Sequence, residues 1–495
     1  MKMPLPDAAL IARKGEIVRA LRRLVPGEGV IGDSAGLVPY QSDGLSAYRQ
    51  TPLAVVLPET VAQVSAVLAW CQANGVKVVP RGAGTSLSGG ALPLTDGVVL
   101  GMARFNQILE VDYANRCAVV QPGVTNLAIS AAVEADGFYY APDPSSQVAC
   151  TIGGNVAENS GGVHCLKYGL TTNNLLGCEL VLMGGEVVRL GGKGFDAAGY
   201  DLLGVVTGSE GLLGVVTEVT VRLLTKPQTA RAMLLGFDSV EAAGATVADI
   251  IAAGVIPAGM EMMDRPAIVA AEAFVHAGYP TEAEALLIVE LDGPEAECAE
   301  LSQSVAALAQ ARGATTLRTS ASEAERLAFW AGRKAAFPAV GRISPDYYCM
   351  DGTIPRRQLP HVLTRITEMA GEYGLGVANV FHAGDGNLHP LILYDADQPG
   401  QLEAAEAFGA DILKLCVAVG GVLTGEHGVG VEKRDLMGEM FSETDLAAQQ
   451  RVKCAFDPDL LLNPGKVFPR LHRCAELGRV HVHRGAVAFP DLPRF

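Results

Sequence analysis

The stretch Val79-Pro80-Arg81-Gly82-Ala83-Gly84-Thr85-Ser86-Leu87-Ser88-Gly89-Gly90 constrains the fold more than any other feature of this chain. It follows a run of β-branched residues and gathers glycines and hydroxyls, so its backbone amides can converge on a phosphate without side chains in the way. A glycine turn with no ligand is the other reading of such a loop taken alone. The Rossmann pattern fits poorly: Gly82 and Gly84 are in place, but the third glycine is displaced and Ser88-Gly89-Gly90-Ala91-Leu92-Pro93 is a poor helix opening. A nicotinamide site of that kind is disfavoured.

The loop sits inside a βαβ pattern. Residues 54–57 read as a strand, 60–74 as an amphipathic helix opened by a Thr60 cap, and 76–79 as the next strand. Strand-like runs at 97–100, 108–112, 117–121, 178–183, 186–189 and 214–224 follow, so 40–225 reads as one strand-rich domain. After Lys226-Pro227 the chain turns Ala-rich and helical over 240–253, 266–274 and 296–313, with strands at 232–236, 285–291 and 315–318. Helices alternating with antiparallel-type strands predict a second α+β domain, continued by a helix over 355–373 and a strand over 375–382. Beyond Gly425 short helices and the turn Leu462-Asn463-Pro464-Gly465-Lys466 predict a return to the first domain. The expected division is 1–225, 226–424 and 425–495.

A chain of 495 residues exceeds one compact core, and 49% apolar content fills two or three. A formal charge of -16 argues against nucleic acid or an anionic membrane as principal partner, since either needs a basic face. Ten cysteines are scattered without a CxxC pair, which favours a reducing compartment. The N-terminus lacks the apolar core of a secretory signal, and no uncharged run approaches the roughly 20 residues that cross a bilayer. A cytoplasmic protein is expected.

Titratable chemistry concentrates in His382-Ala383-Gly384-Asp385-Gly386-Asn387-Leu388-His389 and Gly425-Glu426-His427-Gly428. A lone histidine is usually a satisfied core residue, so the argument here is joint. A strand ending at His382, a tight turn and His389 before Pro390 would bring two rings to one side of a loop, and Glu426 adds an anion. His382, His389 and Glu426 are therefore the candidate ligands of a divalent ion such as zinc or manganese, with an open position suited to catalysis. His427, next to Glu426 and pointing elsewhere, is free to act as a base.

Three segments follow the first loop in order: Asp143-Pro144-Ser145-Ser146-Gln147; Thr151-Ile152-Gly153-Gly154-Asn155 with Asn159-Ser160-Gly161-Gly162; and Thr207-Gly208-Ser209-Glu210-Gly211-Leu212-Leu213-Gly214-Val215-Val216-Thr217-Glu218. Together the four resemble the FAD-binding domain of the vanillyl-alcohol oxidase type flavoproteins, over about residues 50–225. The resemblance implies an α+β fold, with a two-subdomain FAD-binding domain and an α+β substrate, or cap, domain built on an antiparallel sheet. It implies that Arg81, Gly82, Ala83, Gly84, Thr85, Ser86 and Gly89 cradle the pyrophosphate. Pro144, Ser145, Ser146, Gly153, Gly154, Asn155, Ser160 and Gly161 would line the ribityl chain and flavin, while Glu210, Gly211, Gly214 and Val215 close on the adenosine side and Asn463 joins the cofactor-binding set. Some members tether the flavin through a histidine in the first loop. Here those positions are Ala83, Gly84 and Thr85, so non-covalent FAD is implied, and His164 and Cys165 are read as structural.

The histidine segments, residues 346–355 and the Asn463-Pro464-Gly465-Lys466 turn resemble the D-2-hydroxyacid dehydrogenase branch of the same family, which includes D-lactate and D-2-hydroxyglutarate dehydrogenases and glycolate oxidase. The likeness then spans nearly the whole chain. Beside a flavin, His427 would take the hydroxyl proton as hydride leaves for flavin N5, and Arg333 is the candidate cation for the substrate carboxylate. Lys334 is read as solvated. Cys349 stands where hydroxyglutarate-specific relatives carry a lysine, which favours a small substrate such as glycolate or D-lactate. The chain offers no iron–sulfur or haem motif, so reduced flavin needs an external acceptor. The resemblance implies a second flavin-type subunit and an iron–sulfur subunit at the inner membrane, passing electrons toward quinone. Two other readings are a metal hydrolase on a glycine-rich scaffold and a flavin-bearing assembly subunit without chemistry of its own.

Overall fold

The computed structural model describes residues 3–194 and 199–469, with the backbone strands Val482–His483 and Ala486–Val487. The rest of the expected 425–495 segment beyond 469 lies outside the described residues. β1 (Val30–Ile31), β2 (Ala54–Val56), β3 (Lys77–Arg81) and β4 (Gly97–Gly101) form a sheet ordered β1-β2-β4-β3, in which β2, β4 and β3 run parallel. Parallel strands need a crossover, and helix Val61–Ala73 supplies it. Thr60 caps that helix by accepting from the Gln63 amide, as its sequence predicts. The first glycine loop leaves the end of β3.

Next come β5 (Ile108–Asp112), β6 (Cys117–Val120), β7 (Phe138–Tyr139), β8 (Leu175–Val181), β9 (Val187–Gly191), β10 (Val215–Arg222) and β11 (Leu224–Thr225). Five of them make an antiparallel sheet ordered β5-β6-β10-β8-β9, and β7 pairs with β11. The chain later returns to this half. Leu462 bridges Val78 in parallel, the Asn463 amide donates to Val78 at 2.7 Å, and Lys453 Nζ donates to the Leu212 carbonyl at 2.6 Å.

β12 (Thr229–Phe237), β13 (Gly259–Asp264), β14 (Ala285–Gly293), β15 (Thr316–Thr319), β16 (Asp346–Cys349), β17 (Gly352–Thr353), β18 (Gly376–Phe381), β19 (Asn387–Leu388) and β20 (Pro390–Tyr394) follow. Seven of them form an antiparallel sheet ordered β15-β12-β14-β13-β18-β20-β16, with β17 paired to β19. Both faces are covered, and the alternation of side chains decides what each face meets. Met233, Leu235, Leu287, Val289, Met260 and Met262 pack in one core with helices Val240–Ala252, Leu359–Tyr373 and Gln401–Ala418. Leu234, Ile288 and Met263 face helices Arg265–Val275 and Glu323–Val340 on the other side.

Several elements are absent from the sequence reading, among them β13, β16, β20 and helices Glu323–Val340 and Gln401–Ala418. A charge interrupts the apolar run Met260-Glu261-Met262-Met263 of β13, and Gly332 and Pro338 interrupt helix Glu323–Val340, so local patterning hides both. Among the described residues no helix is long and apolar enough to cross a membrane.

Candidate active site

The glycine loop, the antiparallel half and helix Glu323–Val340 enclose a cavity of about 580 Å³. Arg81, Gly82, Ala83, Gly84, Thr85, Ser86, Pro144, Ser145, Ser146, Gly153, Gly154, Asn155, Ser160, Glu210, Gly211, Gly214 and Val215 all line it. Gly89, Gly161 and Asn463 stand behind the wall. Asn463 Nδ2 donates to the carbonyls of Gly90 and Glu210, tying the first and fourth segments together. The left-handed φ of 75° at Gly84, where a side chain would overlap the Arg81 guanidinium, explains why the loop carries glycine there. Thr151 Oγ1 and Asn155 Nδ2 are buried on this wall without a hydrogen-bond partner. Buried polar atoms in folded proteins are as a rule paired, so these two on the cavity wall fit a large polar cofactor.

His389, Glu426 and His427 line the same cavity from its far end. Glu261 and His382 lie on the sheet face covered by helix Glu323–Val340. His382 Nε2 lies 3.1 Å from Glu426 Oε1, and its Nδ1 lies 2.6 Å from Glu261 Oε1. His389 Nε2 is 3.4 Å from the same Glu426 oxygen and has no hydrogen-bond partner. The ligand atoms of His382, His389 and Glu426 all fall within 4.8 Å of one another. Two imidazoles and a carboxylate converging on one point, one nitrogen unpaired in a buried setting, fit a divalent ion. The His427 ring stacks on that of His389 at 4.9 Å and 2°, and its Nδ1 lies 3.9 Å from Asp351 Oδ2.

Asp351 holds this end in place. The amides of Gly425, Glu426 and His427 all donate to its carboxylate, as do Thr424 Oγ1 at 2.6 Å and Lys433 Nζ at 3.2 Å. Two residues on, the amides of Val429 and Gly430 donate to Glu210, at 2.7 and 2.6 Å. One short loop is thus strapped to a carboxylate of the seven-stranded half and then to one of the nucleotide half.

The electrostatics follow from burial and pairing. Burial alone would push the Glu426 carboxyl up, but His382 beside it brings it down to about 2, so it is an anion. Burial also works against charge on His382, yet Glu261 and then Glu426 hold its pKa well above the usual range. Burial pushes His427 down to about 4 despite the pull of Asp351, so it is neutral and able to accept a proton.

The structure thus gathers His382, His389, Glu426 and His427 beside the cavity that holds most of the named cofactor positions. Arg333 is placed differently from the expectation: it is buried off the cavity wall, its Nε donates to Glu261 Oε2 at 2.7 Å, and its Nη2 has no partner. Lys334, read as solvated, is exposed but also lines the cavity, as does Phe337, whose ring meets His389 edge-on at 6.2 Å. His164 is structural, held between Asp143 at 2.8 Å and Glu290 at 3.1 Å. Glu261 is missing from the sequence reading, and Asp351 enters it only within residues 346–355, without a role. The only sequence signal for Glu261 is a lone acid within an apolar strand.

Fold and cavity define an FAD-linked oxidase. Residues 52–191 match the FAD binding domain family and residues 226–467 match the C-terminal domain of FAD linked oxidases, and the chain belongs to that family. It is 59% identical to glycolate oxidase subunit GlcD of Escherichia coli (strain K12) over 97% of this chain and 96% of that protein. GlcD of Bacillus subtilis (strain 168) is 40% identical over 88% and 93% of the two chains, and a D-lactate dehydrogenase of Archaeoglobus fulgidus 34% over 84% and 91%. Among solved structures, 4-ethylphenol oxidase from Gulosibacter chungangensis superposes with a TM-score of 0.78 at 16% identity, covering 94% of this chain and 99% of that one. p-Cresol methylhydroxylase gives 0.78 at 17%, covering 93% and 97%. These two show the vanillyl-alcohol oxidase type fold. The chain is therefore an FAD-dependent 2-hydroxyacid oxidoreductase, and the hydrolase reading has no support.

Proposed function

We propose that this protein oxidises glycolate, or a small D-2-hydroxy acid such as D-lactate, to the 2-oxo acid. The observation that carries the reading is the convergence of His382, His389 and Glu426 beside a neutral His427 at one end of the cofactor cavity. When bound, FAD supplies the hydride acceptor, and a zinc or manganese ion held by His382, His389 and Glu426 supplies positive charge for the substrate oxygens. With His427 Nδ1 turned toward Asp351, Nε2 is the atom that takes the hydroxyl proton. Arg333 Nη2, buried and unpartnered, is the donor for the substrate carboxylate, with Lys334 at the cavity wall. Phe337 packs over His389 and keeps water from the reacting carbon.

In this reading residues 1–225 hold the cofactor, 226–424 cap the substrate, and the segment from 425 completes the site. The relatives named as subunits support partner subunits for this chain; in our reading these are a second flavin-type subunit and an iron–sulfur subunit that carry electrons to quinone, with this chain cytoplasmic and peripheral to the inner membrane through them.

The test is anaerobic mixing of the FAD-loaded protein with glycolate, D-lactate, L-lactate and D-2-hydroxyglutarate, with and without prior chelation, following loss of the flavin visible band. Bleaching by glycolate or D-lactate that chelation abolishes is the expected result. Bleaching that survives complete metal removal would eliminate the ion, and bleaching by L-lactate alone would overturn the substrate class.

A further inference from the structure

We propose that Glu261 is the positioning residue of this site, a single carboxylate that fixes His382 and Arg333 relative to one another. The proposal rests on the metal-assisted reading above and adds a residue to it.

Glu261 lies on β13, the central strand of the seven, and is fully buried. A carboxylate there is costly unless both oxygens are used. The β13–β18 register pairs Met262 with Phe381, so one step outward Glu261 stands across from His382, on the face covered by helix Glu323–Val340. Its Oε1 lies 2.6 Å from His382 Nδ1 and its Oε2 accepts from Arg333 Nε at 2.7 Å.

Each contact leaves its partner with one further nitrogen for another role. Glu261 against Nδ1 fixes the direction of the His382 ring and turns Nε2 toward Glu426, the arrangement by which an outer carboxylate orients a metal-bound histidine. Taking Nε of Arg333 leaves Nη2 unpaired and its fork fixed in direction. The ion and the guanidinium are the two positive groups that one 2-hydroxy acid would meet, so Glu261 sets the spacing to which the substrate must conform.

Glu290 shows what a structural acid on the same face looks like. On β14 it is taken up by His164, Arg326 and the Trp330 indole, none of which lines the cofactor cavity or belongs to the candidate ligand set.

The test uses the full-length, FAD-loaded protein and the variants Glu261→Gln and His382→Ala. Dissociation constants for zinc and manganese come from competition with a chelator, flavin content from absorbance, and KM and kcat from substrate-dependent flavin reduction. Glu261→Gln is expected to weaken metal binding about 10- to 100-fold and raise KM, with flavin content unchanged. Wild-type metal affinity in Glu261→Gln, with His382→Ala losing the ion, would overturn the proposal. If the wild type binds neither ion, the metal reading fails and takes this proposal with it. Should Glu261→Gln fail to fold because Arg333 is left unpaired, the double variant Glu261→Gln/Arg333→Gln leaves no lone buried charge and is read against Arg333→Gln by the same metal measurement.

Discussion

His427 and Arg333 carry the residue-scale expectations. In the proposed mechanism His427, neutral, stacked on His389 and lining the cavity, is the proton acceptor, so His427→Ala should keep flavin and metal yet slow substrate reduction of the flavin about 10²- to 10⁴-fold in stopped-flow measurements. An unchanged rate would remove it from that role. In the proposed mechanism Arg333→Ala does more than remove a substrate contact, because it leaves the buried Glu261 carboxylate with His382 as its remaining partner. A stability loss of about 3–5 kcal/mol by denaturant titration is expected on top of a raised KM. Arg333→Lys keeps the charge but not the fork, and should raise KM with a smaller loss of stability. Sequence reading reached His382, His389, Glu426 and His427 because short local spacing places them. It missed Glu261 and the role of Asp351 because their partners lie far along the chain: Glu261 meets His382 across a sheet register, and Asp351 meets the 425–427 amides. It gave Arg333 to the substrate alone, without the acid that already holds its Nε.

At the scale of elements, helix Glu323–Val340 joins the halves chemically. Arg326 and Trp330 engage Glu290, Arg333 engages Glu261, and Lys334 and Phe337 reach the cavity, all on successive turns. From the other side His164 inserts between Asp143 and Glu290, beside the pairing of Lys167 with Asp292. Burial acts against charge on His164, but Asp143 and Glu290 outweigh it and raise its pKa from 6.5 to about 10. A group whose folded pKa is raised stabilises fully below its unfolded value, and the stabilisation is lost as pH rises through the folded one. Thermal unfolding should therefore show a stability decline between about pH 6.5 and 10 that His164→Gln flattens; an identical pH profile would show that the imidazolium contributes nothing. The strands and the capped helix around the first loop were legible because alternation and a Thr cap are local signals. Helix Glu323–Val340 was not, since its buried face is set by two acids on strands remote in sequence.

For the whole molecule, the cofactor cavity is lined by residues from both halves of the chain. A ligand that binds only the folded state raises stability by mass action, so FAD at 100 times its Kd should add about 2.7 kcal/mol to the apoprotein, read as an upward shift in Tm. No shift would mean that the cavity does not bind FAD in the folded state. The broad architecture was readable from four ordered loops and a change of texture near Lys226. The return of the chain through Leu462 and Asn463 was readable only as a turn, because what anchors it is backbone pairing to Val78.

The loop from Gly425 to Gly430 gives its first amides to Asp351 and its last to Glu210, one carboxylate from each half. It works as a rivet through the seam. A protein riveted there has no jaw to open: parting the halves would strip several buried charge-assisted hydrogen bonds at once and scatter the proton acceptor with them. Exchange of guests past Lys334, which is exposed and lines the cavity, would leave that seam intact.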